Sequence, residues 1–543
     1  MKRSTMKKLS TIIALTLVAV ILAACAPPAA TPPGDTTPGG TATVPGGATV
    51  ADVGNVFVFA GAANITQWDP LNENRTNTTM LNKLIYNTLV NPFGAADNIT
   101  ISPELAESWE VSADGMSWTF NLRQGVYFHN GEPFNSSSVV ATLQRLLDNP
   151  TLTHAAFWPT LESVEAPEPY VAVINLTEPW AALLAQLVDT PMLPPVMLSE
   201  MGDEAFDFND QTQPVGTGPW IAYRWLPGQD AEFLRNDNYW GWGDNKSTFE
   251  RIIYRPVAED TTRVSGLQAG DLTMIDTVPV EQAETLRGVD GITVEQFYSS
   301  AIVHLGFRTY EGDGFYRVFN DVNARKAVMH ALDMHGIVNA IAGGGTPSDW
   351  PAPNTVLGYD ATRAFEYEHN VELARELLGS TNYEGQEISF IVPTGVFARS
   401  GEIAQAIFAM LTEVGFNVNM EIMENAAFQQ RRASADYDLY LQRYPFPVGE
   451  PDSVITMRWL HDVHMSGYVN PQLNSLIEES RRETNPAVRE QILKDMFYVQ
   501  WNTLAPHAAL FQQLSTIAYL DGVSGLRIRP DNVIDYSRVT FTN

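Results

Sequence analysis

Cys25 is the only cysteine in a chain of 543 residues. No disulfide can therefore staple this polypeptide within itself, and its architecture has to come from apolar burial and hydrogen bonding alone. A chain of this length exceeds what one compact core normally serves, which predicts two or three domains. Hydrophobic residues make up 45% and charged residues 18%, a globular balance rather than a disordered one.

The position of that cysteine carries further information. Lys2, Arg3, Lys7 and Lys8 form a basic start, residues 9–22 are almost continuously apolar or small, and Leu22-Ala23-Ala24-Cys25 closes the stretch. The apolar run is too short and too early for an ordinary spanning helix, so 1–24 reads as a secretory signal. The closing residues resemble a bacterial lipobox, which implies lipidation of Cys25 and a protein working outside the cytoplasm, anchored to the membrane. Residues 25–49 are rich in Pro, Gly, Thr and Ala without an aromatic. They predict a mobile tether, with a mean reach of about 25–30 Å. No later window predicts a membrane span.

The formal net charge is −30. Such a surface repels nucleic acid and favours solubility, so nucleic-acid partners are not expected.

Beyond the tether, strand and helix patterns alternate. Period-two or β-rich runs predict strands at 55–59, 117–122, 251–255 and 416–422. Helical spacing predicts helices over 78–89, 136–147, 261–269, 324–342, 371–378, 402–414, 471–484 and 487–504. Asn135 is the expected cap of the second helix, Gly270 the stop of the third, and Gly343-Gly-Gly345 the stop of the fourth. This alternation predicts α/β lobes with mixed sheets. Trp109, Trp118 and Phe128 read as core aromatics.

Four blocks carry a resemblance. They are Ser102-Pro-Glu-Leu-Ala-Glu-Ser-Trp-Glu-Val-Ser112 with Trp118-Thr-Phe-Asn-Leu-Arg-Gln-Gly-Val126 and Phe128-His-Asn-Gly-Glu-Pro-Phe134; Pro214-Val-Gly-Thr-Gly-Pro-Trp220 with Arg235-Asn-Asp-Asn-Tyr-Trp240; Val322-Asn-Ala-Arg-Lys-Ala-Val-Met-His-Ala-Leu-Asp333; and Ala374-Arg-Glu-Leu-Leu-Gly379. In this order and spacing the chain resembles extracellular solute-binding protein family 5, the dipeptide, oligopeptide and nickel binders of ABC importers. The resemblance implies an α/β fold of the two-lobed periplasmic-binding-protein-like kind (type II, cluster C), with an extra domain inserted in lobe one. Lobe one is expected at 50–88, 215–300 and 506–543, the added domain at 89–214, and lobe two at 301–505. Gly216, Gly218 and Pro219 are expected where the chain crosses between lobes.

The resemblance also implies a ligand between the lobes and an importer permease as partner, with no cofactor, no catalysis and a monomeric state. In the family's peptide binders, a Trp is followed three residues later by an Asp that holds the peptide's amino terminus. Here Tyr444 stands at the Trp position and Pro447 at the Asp position, leaving Glu450 and Asp452 as the nearby acids. Pro447 has neither a carboxylate nor an N–H, so it cannot hold an ammonium group. Arg443, Tyr444 and Phe446 offer a planar cation and ring faces. Asn64 and Trp68 in lobe one, Asp276 and Thr277 after a Gly-Asp turn, and Tyr298 and Ser299 near the crossing complete the expected ligand-binding set. A peptide or peptide-like solute is expected, with an oligosaccharide as the alternative.

His461 and His464 lie three apart, but two imidazoles alone do not complete a metal site, and no metal is expected. The chain contains no Gly-x-Ser-x-Gly elbow, His-Glu-x-x-His helix or phosphate-gripping loop. That argues against the commoner hydrolase classes, with a secreted glycosidase built on a carboxylate pair as the remaining enzyme alternative, which a count of acids does not test.

Overall fold

The computed structural model describes residues 55–73, 75–93, 99–209, 211–309, 317–363, 365–455, 470–505 and 507–542. Cys25 and the His461/His464 pair lie outside them.

The backbone of the architecture is one 11-stranded mixed sheet. From one edge to the other its main path runs Val418–Met423, Ile388–Pro393, Leu439–Pro445, Ile292–Phe307, His507–Leu520, Met274–Ile275, Val56–Gly61, Arg251–Pro256, Ala231–Arg235 and Trp220–Trp225. The two central strands are by far the longest, at 16 and 14 residues, and they pair antiparallel. Their register breaks between Tyr298 and Ile302. On one side of the break, residues 292–298 pair with 514–520; on the other, residues 302–306 pair with 507–512. These are the crossing strands of a two-lobed α/β fold. On the lobe-one side, Val56–Gly61 lies parallel to both neighbours, and on the lobe-two side Ile388–Pro393 does the same.

Buried side chains form separate clusters that follow this division. Phe57, Phe59, Trp220, Phe233 and Tyr254 belong to one, and Leu305, Phe307, Phe390, Leu441 and Phe497 to another. The first cluster is shared with a four-stranded antiparallel sheet made of Ala106–Val111, Ser117–Leu122, Val171–Leu176 and Leu161–Glu168. Helix Ser136–Asp148 begins at a capping box in which the Asn135 side chain accepts from the Ser137 N–H. Trp118 and Phe128 are core residues there, and Trp109 packs half-buried against them.

Two expectations need correction. The helix expected over 324–342 is broken: Val322–Ala331 ends at Leu332, whose backbone is extended. The Asp333 carboxylate then accepts the Gly336 N–H, and 337–342 wind as a wider π-helical turn ended by Gly343 at φ 77°. An aspartate that satisfies nearby N–H groups competes with helix continuation. Second, Gly216 and Gly218 do not cross between lobes. They press against the end of helix Thr76–Ile85, where the Gly218 N–H donates to the Ile85 carbonyl at 2.8 Å. A Cβ at Gly216 would lie 2.1 Å from that oxygen. We expect Gly216→Ala to lower the unfolding free energy by about 2–4 kcal/mol, since backbone cannot yield as a flexible side chain does; an unchanged urea midpoint would contradict this packing.

Candidate functional site

Parallel strands place their C-terminal loops at one edge, and in α/β sheets ligands bind there. In lobe one that edge carries the loop after Val56–Gly61 and the loop after Met274–Ile275. The Ala63 carbonyl accepts from the Tyr254 hydroxyl and the Asn77 amide, which pins the first loop. Asn64 and Thr277 are exposed on these loops, and Asp276 is half-buried with Oδ1 sealed from solvent and unpartnered. Gly61 makes room for that carboxylate: a Cβ there would sit 2.5 Å from Asp276 Oδ2.

In lobe two the corresponding edge carries the loop after Leu439–Pro445. Pro447 opens a short turn in which Val448 is held at φ 47° and Gly449 at φ 70°. Positive φ at a β-branched residue is costly and needs surrounding structure to enforce it. Here Val448 is buried against the lobe-one cluster, and the loop's exit is fastened by charge. Both Glu450 oxygens accept from Arg489, at 2.6 and 2.8 Å. Asp452 accepts from Trp180 Nε1 at 3.0 Å and pairs with Arg481 at 3.0 Å. Trp180 belongs to the segment after Val171–Leu176, so this contact joins the inserted sheet's domain to lobe two. Glu178 reinforces it by pairing with Arg482. On the other flank Glu281, just beyond Thr277, pairs with Arg399 at 3.0 Å.

Several expected ligand contacts lie in the core instead. Trp68 is 2% exposed and meets Phe208, Trp225 and Phe233 edge-on. Tyr444 and Phe446 are buried in the lobe-two cluster. The Tyr444 ring lies 3.9 Å from that of His304, and its hydroxyl meets Tyr440 and Gln442. Ser299 is fully buried, with its hydroxyl accepting the Ala301 N–H. Glu450 and Asp452 are occupied by arginines. In this structure none of these side chains is exposed: Trp68, Ser299, Tyr444, Phe446 and Asp452 are buried, and Glu450 is half-buried against Arg489. Arg443 differs: it is half-buried, with Nε sealed and unpartnered.

Sequence reasoning missed a cavity of about 200 Å³ beside the crossing, lined by Tyr298, Asp349, Trp350, Asn354, Arg363 and Gln512. Tyr298 is 47% exposed there. Gln512 Nε2 bridges the Ser299 carbonyl and the Asn354 side chain at 2.9 and 3.2 Å. Arg363 lies over the rings of Tyr498 and Trp501. The Pro- and aromatic-bearing run 347–354, after three glycines, is the signal that could have marked it. Among the described residues no cluster of His, Cys, Asp and Glu is arranged to hold a metal, and no helix is long and apolar enough to cross a membrane.

Comparison with known proteins agrees with this geometry. The chain is 25% identical over 446 residues to the probable D,D-dipeptide-binding periplasmic protein DdpA of Escherichia coli, covering 80% of this chain and 84% of that one. It is 26% identical over 475 residues to heme-binding protein A of Haemophilus influenzae, covering 81% and 84%. The solved structure of the periplasmic binding protein DppA from Helicobacter pylori, in complex with peptide STSA, superposes with a TM-score of 0.76 at 23% identity, over 90% of this chain and 98% of that one. The model of the bacterial extracellular solute-binding proteins, family 5 Middle, matches residues 100–464. This chain therefore belongs to the family 5 extracellular solute-binding proteins.

Proposed function

We propose that this protein is the solute-capturing receptor of an ABC importer, held outside the cytoplasmic membrane by lipid on Cys25, and that it catalyses no reaction. Lobe one comprises 50–88, 215–300 and 506–543, the added domain 89–214, and lobe two 301–505. A peptide or peptide-like solute lies between the strand-end loops and is handed unchanged to a permease. The observation that carries this reading is the interrupted ladder at 298–302, which leaves the two crossing strands paired on both sides of the break and unpaired with each other at it. Closure then follows from contacts that a solute makes with both walls at once, a population shift rather than a chemical step. The dipeptide-binding name of the Escherichia coli relative supports a peptide-class solute. Asn64, Asp276, Thr277, Tyr298 and Arg443 are the residues we assign to the walls.

Desolvation sets the state of Asp276. Burial pushes its carboxyl up to about 6, against the pull of Arg263 and a hydrogen bond from Thr277. The folded protein thus holds this proton more tightly than the unfolded chain does. Any advantage from that tighter hold exists at low pH and disappears as pH rises through the folded value, so ionised Asp276 costs about 2–3 kcal/mol at pH 7. A wall that stores such a cost can recover part of it from a solute that donates to the carboxylate.

Three outcomes are expected. A solute from a screen of short peptides and oligosaccharides raises the thermal midpoint and is recovered chemically intact by mass spectrometry; at a hundredfold excess over Kd the stabilisation is about 2.7 kcal/mol. Consumption of the solute would refute the receptor reading. Cys25→Ala leaves the melt unchanged and moves the protein from the membrane to the soluble fraction, whereas a mutant still in the membrane fraction would refute the anchor. Asp276→Asn stabilises the ligand-free protein by about 2–3 kcal/mol at pH 7 and by almost nothing at pH 3.5; a pH-independent difference in urea unfolding would contradict the desolvation argument.

A further inference from the structure

A second cavity lies away from the solute loops. It measures about 180 Å³, where a single water needs only about 10–15 Å³, so it has room for an ion or molecule of several atoms. Helix Thr76–Ile85 fixes its place. The helix starts beside Ala63, whose carbonyl accepts from the Asn77 amide, and it ends against Gly218, whose N–H donates to Ile85. Gly218 precedes strand Trp220–Trp225. Trp220 pairs with Arg235, whose N–H donates to the Glu250 carbonyl just ahead of Arg251–Pro256. The helix end therefore sits at the N-terminal edge of the parallel lobe-one strands, opposite the edge that carries Asn64 and Thr277. Asn87 and Pro219 line the cavity there.

The lining is basic in a chain whose formal net charge is −30. It carries Lys83, Arg123, Arg527 and Arg538 against two carboxylates, Glu104 and Asp535. Both acids are committed. Glu104 accepts from the Asn87 amide at 2.8 Å, and from the Thr88 N–H and hydroxyl at 3.0 and 2.8 Å. Asp535 pairs with Arg527 and accepts the Ser537 N–H. Lys83 is matched by Asp189 at 3.1 Å. Arg538 and Arg123 are held differently. Arg538 donates to the Gly241 and Trp242 carbonyls at 2.6 and 3.4 Å, and among the described residues no carboxylate pairs with it. Arg123 donates to the Glu104 carbonyl at 3.0 Å and lies 4.8 Å from the centroid of the Trp240 ring; its acid, Glu107, has a 57% exposed side chain. Carbonyls and a ring face orient a guanidinium without cancelling its charge. The Tyr239 hydroxyl accepts from the Asn87 amide at 3.1 Å, which leaves its own O–H to donate.

We propose that this cavity is a second ligand site, which takes a tetrahedral oxyanion of the phosphate class. Its donors come from separate parts of the chain, Arg123 just after strand Ser117–Leu122, Tyr239, and Arg538 near the C-terminus. An anion whose oxygens point in several directions satisfies more of them than a planar one can. The anion can be inorganic phosphate or a phosphate monoester, since both present the same cluster of oxygens. The site is separate from the solute cleft, so it is judged independently of which solute that cleft takes.

The test uses the full chain and calorimetry in about 150 mM sodium chloride, which screens non-specific attraction. The probes are sodium phosphate, sodium sulfate, sodium nitrate and glycerol 3-phosphate. Phosphate and sulfate are expected to bind about tenfold or more tighter than planar nitrate. Tighter binding of glycerol 3-phosphate than of phosphate assigns the site to a monoester, and equal or weaker binding assigns it to the free ion. Arg538→Gln and Arg123→Gln each weaken phosphate binding about tenfold. Arg255→Gln, which removes a partly exposed cation paired with Asp230 elsewhere on lobe one, leaves it unchanged. Arg123, with a side chain 32% exposed, carries the test if Arg538→Gln does not fold. Nitrate binding as tightly as phosphate, no saturable heat from phosphate or glycerol 3-phosphate, unchanged phosphate affinity in the cavity variants, or an equal loss in Arg255→Gln would each overturn the proposal.

Discussion

The ladder between Ile292–Phe307 and His507–Leu520 is the interaction on which the rest of this structure depends. It belongs to both lobes at once, and it is the path by which a single sheet passes from one core to the other. Its break at 298–302 would leave backbone groups unsatisfied, which a buried chain cannot tolerate. They are satisfied from elsewhere. The Ser300 N–H donates to the Pro530 carbonyl, its hydroxyl donates to the Phe446 carbonyl, and Phe446 returns its own N–H to Ser300. The bend is thereby tied to the C-terminal segment and to the loop that begins the lobe-two wall. A change at that loop is felt at the crossing, and the reverse holds too.

Electrostatics explains why the lobe-two wall differs from a peptide-ammonium clamp. In the resemblance drawn from sequence, an aspartate follows the aromatic position by three residues; here Pro447 occupies it, and the remaining acids hold arginines of the helices behind. Breaking such a pair by removing one partner strands the other charge, so these acids are structural commitments rather than spare ligands. The same loop reaches across to Trp180 and Val448 packs on the lobe-one cluster, so the loop is held from both sides.

Local features were legible in the amino-acid sequence because their causes are local. The Asn135 cap, the Gly270 stop at φ 79° and the alternating strand 117–122 each depend on a few neighbouring residues. The family blocks brought the two-lobed order with them. What was not legible depends on partners far along the chain. Whether Trp68, Tyr444 or Phe446 meets solvent or core is decided by partners more than a hundred residues away, such as Phe208, Trp225 and Phe233 for Trp68, His304 for Tyr444 and Ser300 for Phe446. Gly216 and Gly218 were read for conformational freedom, but their role is close approach to the Ile85 carbonyl, a contact no local pattern announces. Glu450 and Asp452 looked available because Arg489 and Arg481 sit on a later helical pair. The break at Leu332 turned on a single carboxylate, that of Asp333, which periodicity treats as merely polar.

The central claim, that two lobes hinge about one interrupted ladder, is tested most directly by a distance across the sheet. Tyr223, 50% exposed, lies near one edge of it and Ile422, 40% exposed, near the other. Spin labels introduced through Tyr223→Cys and Ile422→Cys, with Cys25→Ser to remove the native thiol, report that distance by pulsed electron paramagnetic resonance. The account predicts that saturating a bound solute shifts the distribution and narrows it. A distribution identical with and without a solute that calorimetry shows to be bound would contradict it.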